Sequence, residues 1–507
     1  MIFQANLQLL LSGNNVPNIS PSQTQLTRLF ELYQNERYDE AERLATSITQ
    51  QFPEHPFSWK VLGALLKQTN RISESLVPSQ KAVEISPGDA EAHNNLGTTM
   101  KQLGRLEEAE ASYRQAIALK AEFAEAHNNL GNTLKQLSRL EEAEASYRQA
   151  INLKPDFAEA YFNIGVVLQD LGKLEEAELS LRQAIAFNSD YAEAHINLGT
   201  ALQELGRLEE AEASYRQAIA LKANYAEAYN NLGIMLQELG RLEEAAEPLM
   251  LSGTDISKAY LLRCFYKLNQ QSNFYEQLDH IINQGENNAL IGSLISQSNI
   301  RYGIKKYNPF CNEPLKYVYE TNLLEQCDFK TIFIQGATQI LGNQKVQHRS
   351  QGLLKNGVQT AGNVFDQSGP VKDAIQKIIY SELEKYRVHF KDSTEGLITD
   401  WPTNHGLNGW LVSMKSGGEL NPHIHERGWI SGSIYINIPP KLNKDSGNLV
   451  VGLGDLKNGL EGDDNTRSID VVTGSFCLFP SSLHHYTIPF KSKEDRIVLA
   501  FDVVPRN

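Results

Sequence analysis

Residues 124–157 read AEAHNNLGNTLKQLSRLEEAEASYRQAINLKPDF, and this 34-residue pattern recurs through the N-terminal half of the chain. Five glycines mark it at a constant spacing: Gly97, Gly131, Gly165, Gly199 and Gly233. Apolar residues recur three and four positions apart in two runs per copy, which predicts two helices. A period of this length with two helices is typical of a stacked helical array. Because such an array is a binding surface, we expect any catalysis in the part that does not repeat.

The copy that begins at Ala90 shows how the helices should pack. Its apolar stripes are Leu96, Gly97 and Met100 on the first helix, and Ala109, Tyr113, Ala116 and Ile117 on the second. Small residues let the helices approach closely, but one pair cannot bury its stripe, so the units must stack into a solenoid. We count six full units over about 22–225 and a seventh from 226. The solenoid is therefore assigned to 22–255, after an N-terminal extension at 1–21.

One polar position is kept in the five clear copies. Two residues before each glycine stands an asparagine: Asn95, Asn129, Asn163, Asn197 and Asn231. The unit from 158 to 191 has drifted widely and still keeps Asn163, whereas the two earliest units have Val61 and Thr27 in register. An amide can both donate to and accept from a peptide backbone. We therefore predict a peptide-binding asparagine ladder on the concave face, the alternatives being a solvated position or bonding within the array.

The repeated unit resembles the tetratricopeptide repeats of the O-linked N-acetylglucosamine transferases. In that family an asparagine ladder of this kind lines the groove. The resemblance covers only the array, and such repeats occur with many unrelated activities. It therefore implies an extended peptide or protein as partner, and it does not specify a reaction.

After the repeats, the sequence pattern of the chain changes. Residues 256–284 still predict a helix pair, and we assign 256–300 to a helical cap or linker. Over 301–507 short apolar runs alternate with Gly, Pro, Asn and Asp clusters, which predicts strands and turns. The runs are TIFIQ (331–335), SGSIYINI (431–438), GNLVVGL (447–453) and RIVLAFDVV (496–504), with one helix expected at about 370–388. The predicted fold class is thus an α-solenoid followed by a jelly-roll barrel.

Four of the twelve histidines fall in two short segments of the second half. His423 and His425 precede a strong strand, and positions i and i+2 of an extended chain face the same side. His484 and His485 follow a later strand, and because they are adjacent only one should face the same ion. Two histidines with a carboxylate form the facial triad of non-haem iron oxygenases. Arg496, at the start of the last strand, could bind a carboxylate in a bidentate manner, as 2-oxoglutarate would require.

The segment from about 345 to 505 resembles a 2-oxoglutarate- and iron(II)-dependent oxygenase family of bacteria and phages. The matching stretches are GLLKNGVQTAGNVF (352–365), WLVSMKSGGELNPHIHERGWISGSIYI (410–436), GSFCLFPSSLHHYTIP (474–489) and RIVLAF (496–501). The resemblance implies a double-stranded β-helix with His423 and His485 as Fe(II) ligands. It also implies that Arg496, with Tyr435 as a further hydrogen-bond donor, holds 2-oxoglutarate as co-substrate.

One position departs from the wider superfamily, which has His-x-Asp or His-x-Glu where this chain has His423-x-His425. Either His425 is the third metal ligand, or a carboxylate from elsewhere, of which Glu426 is the nearest, completes the site. The same residues also approximate the two cupin motifs, although the expected glutamate is absent. A three-histidine metal enzyme that does not use 2-oxoglutarate and a non-catalytic adaptor therefore stay open.

Composition restricts the partners. The chain has 47 basic and 61 acidic residues, a net charge of −14, which argues against nucleic acid as the partner. Four cysteines without paired spacing disfavour a disulfide framework. The first residues have no basic stretch before their apolar run, and no segment approaches the length of a membrane span. We expect a cytoplasmic dioxygenase that acts at no membrane and hydroxylates a side chain presented by the repeats, with O2 and 2-oxoglutarate as co-substrates.

Overall fold

The repeated pattern folds into pairs of helices, as predicted. The structure is a computed structural model and describes residues 20–342, 348–349, 353–360, 362–366, 369–454 and 465–506. Its contacts divide the chain into two compact units, Met1–Met235 and Leu236–Asn507. The N-terminal extension predicted at 1–21 lies outside the described residues, apart from residues 20 and 21. The domain boundaries expected at 255 and 300 stay predictions.

The first unit consists of helix pairs. The first helices of the pairs are α1 (Gln23–Gln34), α3 (Pro56–Gln68), α5 (Ala90–Gln102), α7 (Ala124–Gln136), α9 (Ala158–Asp170) and α11 (Ala192–Glu204). Their partners are α2 (Tyr38–Gln51), α4 (Ile72–Ile85), α6 (Leu106–Leu119), α8 (Leu140–Leu153), α10 (Leu174–Phe187) and α12 (Leu208–Leu221). The chain continues through α13 (Ala226–Glu238) and α14 (Leu242–Ser252).

The repeated glycine is required by a close approach between the two helices of a pair. A Cβ atom on Gly131 would lie 2.6 Å from the ring of Tyr147, and one on Gly97 would lie 2.8 Å from the ring of Tyr113. Both tyrosines are completely buried. Where the tyrosine is replaced by Leu181, a Cβ on the matching glycine would still lie 2.7 Å away. In the pairs of Gly97, Gly131, Gly165 and Gly199, the 34-residue glycine period therefore reflects a small residue packed against a large one.

The second unit begins with helices. The predicted pair at 256–284 is confirmed as α15 (Asp255–Lys267) and α16 (Gln271–Asn283), and α17 (Ala289–Tyr302) follows. Later helices are α18 (Gly336–Gly342), α19 (Pro370–His389) and α20 (Gly396–Thr399), with short helical turns at Pro314–Tyr317 and Val364–Asp366. The long helix α19 confirms the prediction for 370–388. No helix in the described ranges has both the length and the apolar character needed to cross a membrane.

One expected strand is wrong. TIFIQ lies in a helical segment, Lys330–Gln335, that leads directly into α18. The carboxylate of Asp328 accepts from the backbone N–H of Thr331 at the start of this segment, as a helix-capping side chain does. Phe329, Phe333 and Ala337 are buried four residues apart. The apolar period is therefore helical, and the β-branched composition of the short run concealed it.

The strands form one antiparallel sheet that curls into the predicted jelly roll. The strands are β1 (Tyr319–Asn322), β2 (His348–Arg349), β3 (Leu354–Thr360), β4 (His405–His423), β5 (Ile430–Asn437), β6 (Leu449–Gly452), β7 (Thr466–Ile469), β8 (Ser475–Pro480), β9 (His484–Thr487) and β10 (Arg496–Pro505). Their order is β1-β8-β5-β10-β4-β9-β6-β7, with β3 paired to β4 and β2 to β3. The 19-residue β4 pairs with β10 through its first half and with β9 near its end, so it carries the sheet around a corner.

One face of β10 packs in the hydrophobic core, and the other face lines a cavity. Leu499, Phe501 and Val503 point into a hydrophobic core shared with α19. The alternate residues, which include Arg496 and Val498, line a cavity on the other face. This alternation follows from the two-residue period of a strand. The helix-covered face packs into the core, and the opposite face lines the cavity.

Candidate metal centre

Strand pairing brings two of the predicted histidines face to face. His423 is the last residue of β4, and in the ladder with β9 it lies directly opposite His485. His485 is 6% exposed, whereas the adjacent His484 alternates to the other face and is not in the group. His425 follows the end of β4 and is not in a strand, so the pair is only half extended. The chain turns here and still places both imidazoles together.

The three imidazoles converge on one point. The Nε2 atoms of His423 and His425 are 3.1 Å apart, and one potential ligand atom from each of His423, His425 and His485 lies within 4.8 Å of the others. The ring centroids of His423 and His485 are 4.3 Å apart. Three imidazole nitrogens at this separation fit one transition-metal ion such as Fe(II), Zn or Cu.

Each imidazole is fixed through its other nitrogen. His423 Nδ1 contacts the backbone oxygen of Asn421 at 2.9 Å, and His485 Nδ1 contacts that of Leu483 at 3.4 Å. His425 Nδ1 contacts a carboxylate oxygen of Asp502. A histidine that donates Nδ1–H to such a partner presents Nε2 as a lone pair, which is the arrangement of metal-ligating histidines. The residues present therefore fit a metal ion.

Asp502 is a member of the site that the sequence analysis missed. It is 6% exposed and lies on β10 opposite Ser431 of β5. Ser431 Oγ donates to the same carboxylate oxygen at 2.9 Å and also contacts Ser481 Oγ at 2.8 Å. A carboxylate in an otherwise apolar buried strand is itself a signal, because Asp is almost never fully buried unless it is paired. Its even spacing from Arg496 places both on one face of β10.

Glu426, the carboxylate nearest in sequence, is turned to other partners. Tyr260 donates a hydrogen bond of 2.5 Å to Glu426, and Arg263 forms an ion pair with it. Both partners lie on α15, and the Arg263 guanidinium stacks over the Tyr260 ring at 4.4 Å. Glu426 thus ties the loop after His425 to the helices at the start of this unit. In this structure it is not a member of the imidazole group.

Burial keeps the imidazoles of His423 and His485 neutral. Burial, with a contribution from His425, lowers the pKa of His423 to about 4. Burial and the neighbouring histidines hold the pKa of His485 well below its usual value. Neutral imidazole is the form that binds a metal.

Arg496 and Tyr435 lie on the wall of the same cavity. Arg496 is 2% exposed, and its Nη1 donates to the backbone oxygen of Gly447, while its Nε has no partner. Among the described residues no carboxylate forms an ion pair with it. Its guanidinium lies 5.2 Å from the Tyr435 ring, and burial raises the pKa of Tyr435, which keeps the phenol a hydrogen-bond donor. A buried, unpaired guanidinium is a site for an anion.

Gly447 makes room for this arginine. Its φ is +76°, and a Cβ atom there would lie 2.9 Å from Arg496 Nη1. The backbone oxygen that holds the guanidinium is therefore presented by a conformation that favours glycine. The sequence analysis did not single out Gly447, since only the fold brings it to the arginine.

The cavity encloses about 200 Å³ and joins the imidazole group to the arginine. Its remaining walls are mostly apolar and include Trp410, Met414, Leu420 and Phe479. A few polar groups converge within an apolar wall, as is usual for a small-molecule site.

The ladder asparagines are half-buried on the first helices of their units. Asn129 Nδ2 donates to Asn94 Oδ1 and Asn163 Nδ2 donates to Asn128 Oδ1, both at 3.0 Å, so each reaches the preceding unit. Asn197 Nδ2 donates instead to the backbone oxygen of Glu193, while Asn95 and Asn231 occupy the same repeat position. Bonding within the array is therefore present. An amide that gives up one N–H keeps a second N–H and an acceptor oxygen.

Family models match both parts of the chain. A family model described as "Putative 2OG-Fe(II) oxygenase" matches residues 408–502. A model described as "TPR repeat" matches 100–138, 131–172, 167–206 and 201–240, and one described as "Tetratricopeptide repeat" matches 79–111. No curated protein matches the chain.

Several solved structures are similar to part of the chain. They include a chain of the APC/C hetero-tetramer Cut9-Hcn1, at 18% identity and a TM-score of 0.42, covering 48% of this chain and 49% of that chain. The Pseudomonas aeruginosa PilF structure has 22% identity, a TM-score of 0.36 and coverages of 38% and 89%. YrrB, described as a TPR protein with an unusual peptide-binding site, has 22% identity, a TM-score of 0.31 and coverages of 36% and 95%. The match thus spans about half of the first of these chains.

All these TM-scores are below 0.5, so the two parts of the chain are identified from the family matches alone. The chain carries tetratricopeptide repeats in its N-terminal part and, in its C-terminal part, a domain of the family described as "Putative 2OG-Fe(II) oxygenase".

Proposed function

We propose that the protein is an Fe(II)- and 2-oxoglutarate-dependent dioxygenase that hydroxylates a peptide or protein side chain held by its repeats. The observation that carries the proposal is the presence, in one cavity, of three converging imidazoles and a buried arginine that has no counterion among the residues the structure describes. The first group suits a metal, and the second suits a dicarboxylate that also reaches the metal.

In this proposal the Nε2 atoms of His423, His425 and His485 bind the iron. Iron with 2-oxoglutarate supplies an oxidant that inserts one oxygen atom of O2 into a C–H bond, while the other oxygen enters succinate and CO2 is released. The chain's own residues set the geometry, because each imidazole is oriented by the partner of its Nδ1. Asp502 adds a negative charge behind His425, which offsets the absence of a carboxylate ligand.

Arg496 would receive the carboxylate of 2-oxoglutarate that lies far from the metal, with Tyr435 as a further donor. The guanidinium is already dehydrated and oriented by the Gly447 carbonyl, so little ordering remains when the anion binds. The apolar walls exclude water, which strengthens the ion pair. The metal site and the 2-oxoglutarate site would therefore lie in one mostly apolar cavity.

The repeats would hold the substrate. Asn95, Asn129, Asn163, Asn197 and Asn231 recur at one position of the array, and their remaining amide groups can pair with the backbone of an extended chain. Tetratricopeptide arrays present such surfaces generally.

A second candidate uses the same imidazoles. Three histidines without a carboxylate ligand also suit a cupin-type metal enzyme that does not use 2-oxoglutarate. The buried guanidinium favours the first candidate, since the second has no use for an anion site there.

The test is 2-oxoglutarate turnover by the full chain. Succinate is measured after Fe(II), 2-oxoglutarate, ascorbate and O2 are added to the wild type, His485→Ala and His484→Ala. We expect succinate from the wild type and from His484→Ala, whose side chain faces away from the group, and background levels from His485→Ala. Equal succinate from His485→Ala would contradict the assigned site. Iron binding without any succinate would favour the cupin-type candidate, and no metal at all would leave a non-catalytic adaptor.

A further inference from the structure

Three lysines recur at one position of the early repeats. They are Lys67, Lys101 and Lys135, each the second-last residue of its helix (α3, α5 and α7). We call them the lysine strip. The next three units have Gln169, Gln203 and Gln237 at the same position. The array therefore places a cation there in three successive units and a neutral amide in the following three.

The position faces the asparagine ladder. Lys67 Nζ donates to the backbone oxygen of Asn95 in the next unit at 3.2 Å. In the first unit that has glutamine at this position, Gln169 Nε2 donates to the backbone oxygen of Asn197 at 3.1 Å. Both hydrogen bonds join residues 28 positions apart, so the same contact recurs in two different units. Lys101 and Lys135 occupy the same repeat position, although within the described residues only Lys67 of the three forms this hydrogen bond.

The strip lysines lack carboxylate partners among the described residues, whereas most other cations of the array have them. Arg139 pairs with Glu110 at 2.7 Å and with Glu142 at 2.6 Å, and Lys173 pairs with Glu144 at 2.7 Å. Within residues 20–235, by contrast, no carboxylate oxygen lies within 4.0 Å of the ammonium group of any strip lysine. The cations nearest the ladder are thus left without counterions inside the array.

Two of these lysines are also partly dehydrated. Burial lowers the pKa of Lys67 to about 8, and burial lowers that of Lys101, although the charge of Glu159 acts in the opposite direction. Glu159 is itself engaged, since Asn128 donates to it at 3.1 Å. A dehydrated ammonium without a counterion is unfavourable until an anion joins it.

We propose that the lysine strip binds acidic side chains of an extended peptide that lies along the asparagine ladder. The inference deepens the role given to the repeats in the proposed function and rests on it. Neighbouring helices pack about 8–10 Å apart, and an extended chain rises about 3.3 Å per residue. One unit therefore corresponds to about three residues of peptide, and the ligand has an acidic residue at about every third position. The neighbouring asparagine amides can pair with a peptide backbone, which favours a peptide over nucleic acid.

The test is fluorescence anisotropy with the full chain and two labelled 12-residue peptides. One peptide has Glu at every third position among Ser and Ala, and the other has Gln in place of Glu. The variant K67Q/K101Q/K135Q introduces the residue that later repeats have at this position, so the helices are expected to form. K81Q/K120Q/K154Q removes the same charge from other positions of the array and is the matched control. Circular dichroism checks that both variants are folded.

We expect the wild type and the control variant to bind the Glu peptide about tenfold or more tightly than the Gln peptide. The strip variant should bind both alike. Raising the salt from about 50 to about 500 mM should weaken only the Glu peptide, a readout that needs no variant.

Undiminished Glu-peptide binding by the strip variant, or an equal loss in the control variant, would overturn the proposal. So would an oligonucleotide of the same charge that displaces the peptide at equal concentration, because it would assign the strip to nucleic acid. The assay needs neither metal nor 2-oxoglutarate. Its failure and the failure of the proposed reaction are therefore distinguishable.

Discussion

Asp502→Asn tests how the metal centre is built. The substitution keeps the size of the side chain and an oxygen that can accept from His425 Nδ1, but it removes the negative charge. In the structure that oxygen also accepts from Ser431 at 2.9 Å, and the whole group is buried. The change therefore acts on His425 through charge and leaves the packing of β10 in place.

The size of the effect follows from the hydrogen bond. A charge-assisted hydrogen bond contributes about 1.5–3 kcal/mol and a neutral one about 1 kcal/mol. The difference of about 1–2 kcal/mol corresponds to about 5- to 30-fold weaker metal binding. Substituting a group that orients a metal-ligating histidine typically costs about 10- to 100-fold, which overlaps with this range.

The assay is a competition titration of Co(II) against a fluorescent chelator, with the full chain at constant pH. Asp495→Asn, an exposed carboxylate one residue before β10, is the matched control and should bind as the wild type does. Thermal unfolding confirms that both variants are folded. Wild-type affinity in folded Asp502→Asn, or an equal loss in Asp495→Asn, would refute the role given to the charge.

Three further predictions concern neighbouring features. Gly447→Ala should weaken 2-oxoglutarate binding about tenfold, because the new methyl group displaces the buried guanidinium, and it should leave metal affinity unchanged. The control Gly454→Ala should change neither affinity. Equilibrium dialysis measures both affinities. Glu426→Gln should lower the thermal midpoint but leave metal affinity unchanged, and a loss of metal would identify this carboxylate as a ligand. Gly131→Ala should destabilise the array by about 1–3 kcal/mol through its tyrosine contact, while Gly88→Ala, with open space around it, should not; thermal unfolding distinguishes them.

The sequence predicts the array almost completely because its packing is local. The glycine at one position and the tyrosine sixteen residues later are neighbours within one helix pair, so periodicity alone reveals them. The jelly roll was predicted from strand-sized runs such as 431–438 and 496–504. The strand predicted for TIFIQ was wrong, because a short β-branched run does not distinguish a strand from a buried helix.

The imidazole group was predictable from spacing, whereas its supporting residues were not. Asp502 lies 77 residues after His425 and meets it only because β10 pairs with β5 at Ser431. Gly447 likewise meets Arg496 only through tertiary structure. The sequence left open whether His425 or a carboxylate is the third metal ligand. The position of Asp502 behind His425 depends on strand register, which periodicity does not specify.

The central claim is that iron and 2-oxoglutarate share the cavity between the imidazoles and the arginine. The most direct measurement is an anaerobic titration of the full chain with Fe(II) and then 2-oxoglutarate, monitored in the visible range. The account predicts a weak charge-transfer band in the wild type that is lost in Arg496→Gln at the same 2-oxoglutarate concentration, with iron still bound. Bound iron without a band in the wild type, or an unchanged band in Arg496→Gln, would contradict it.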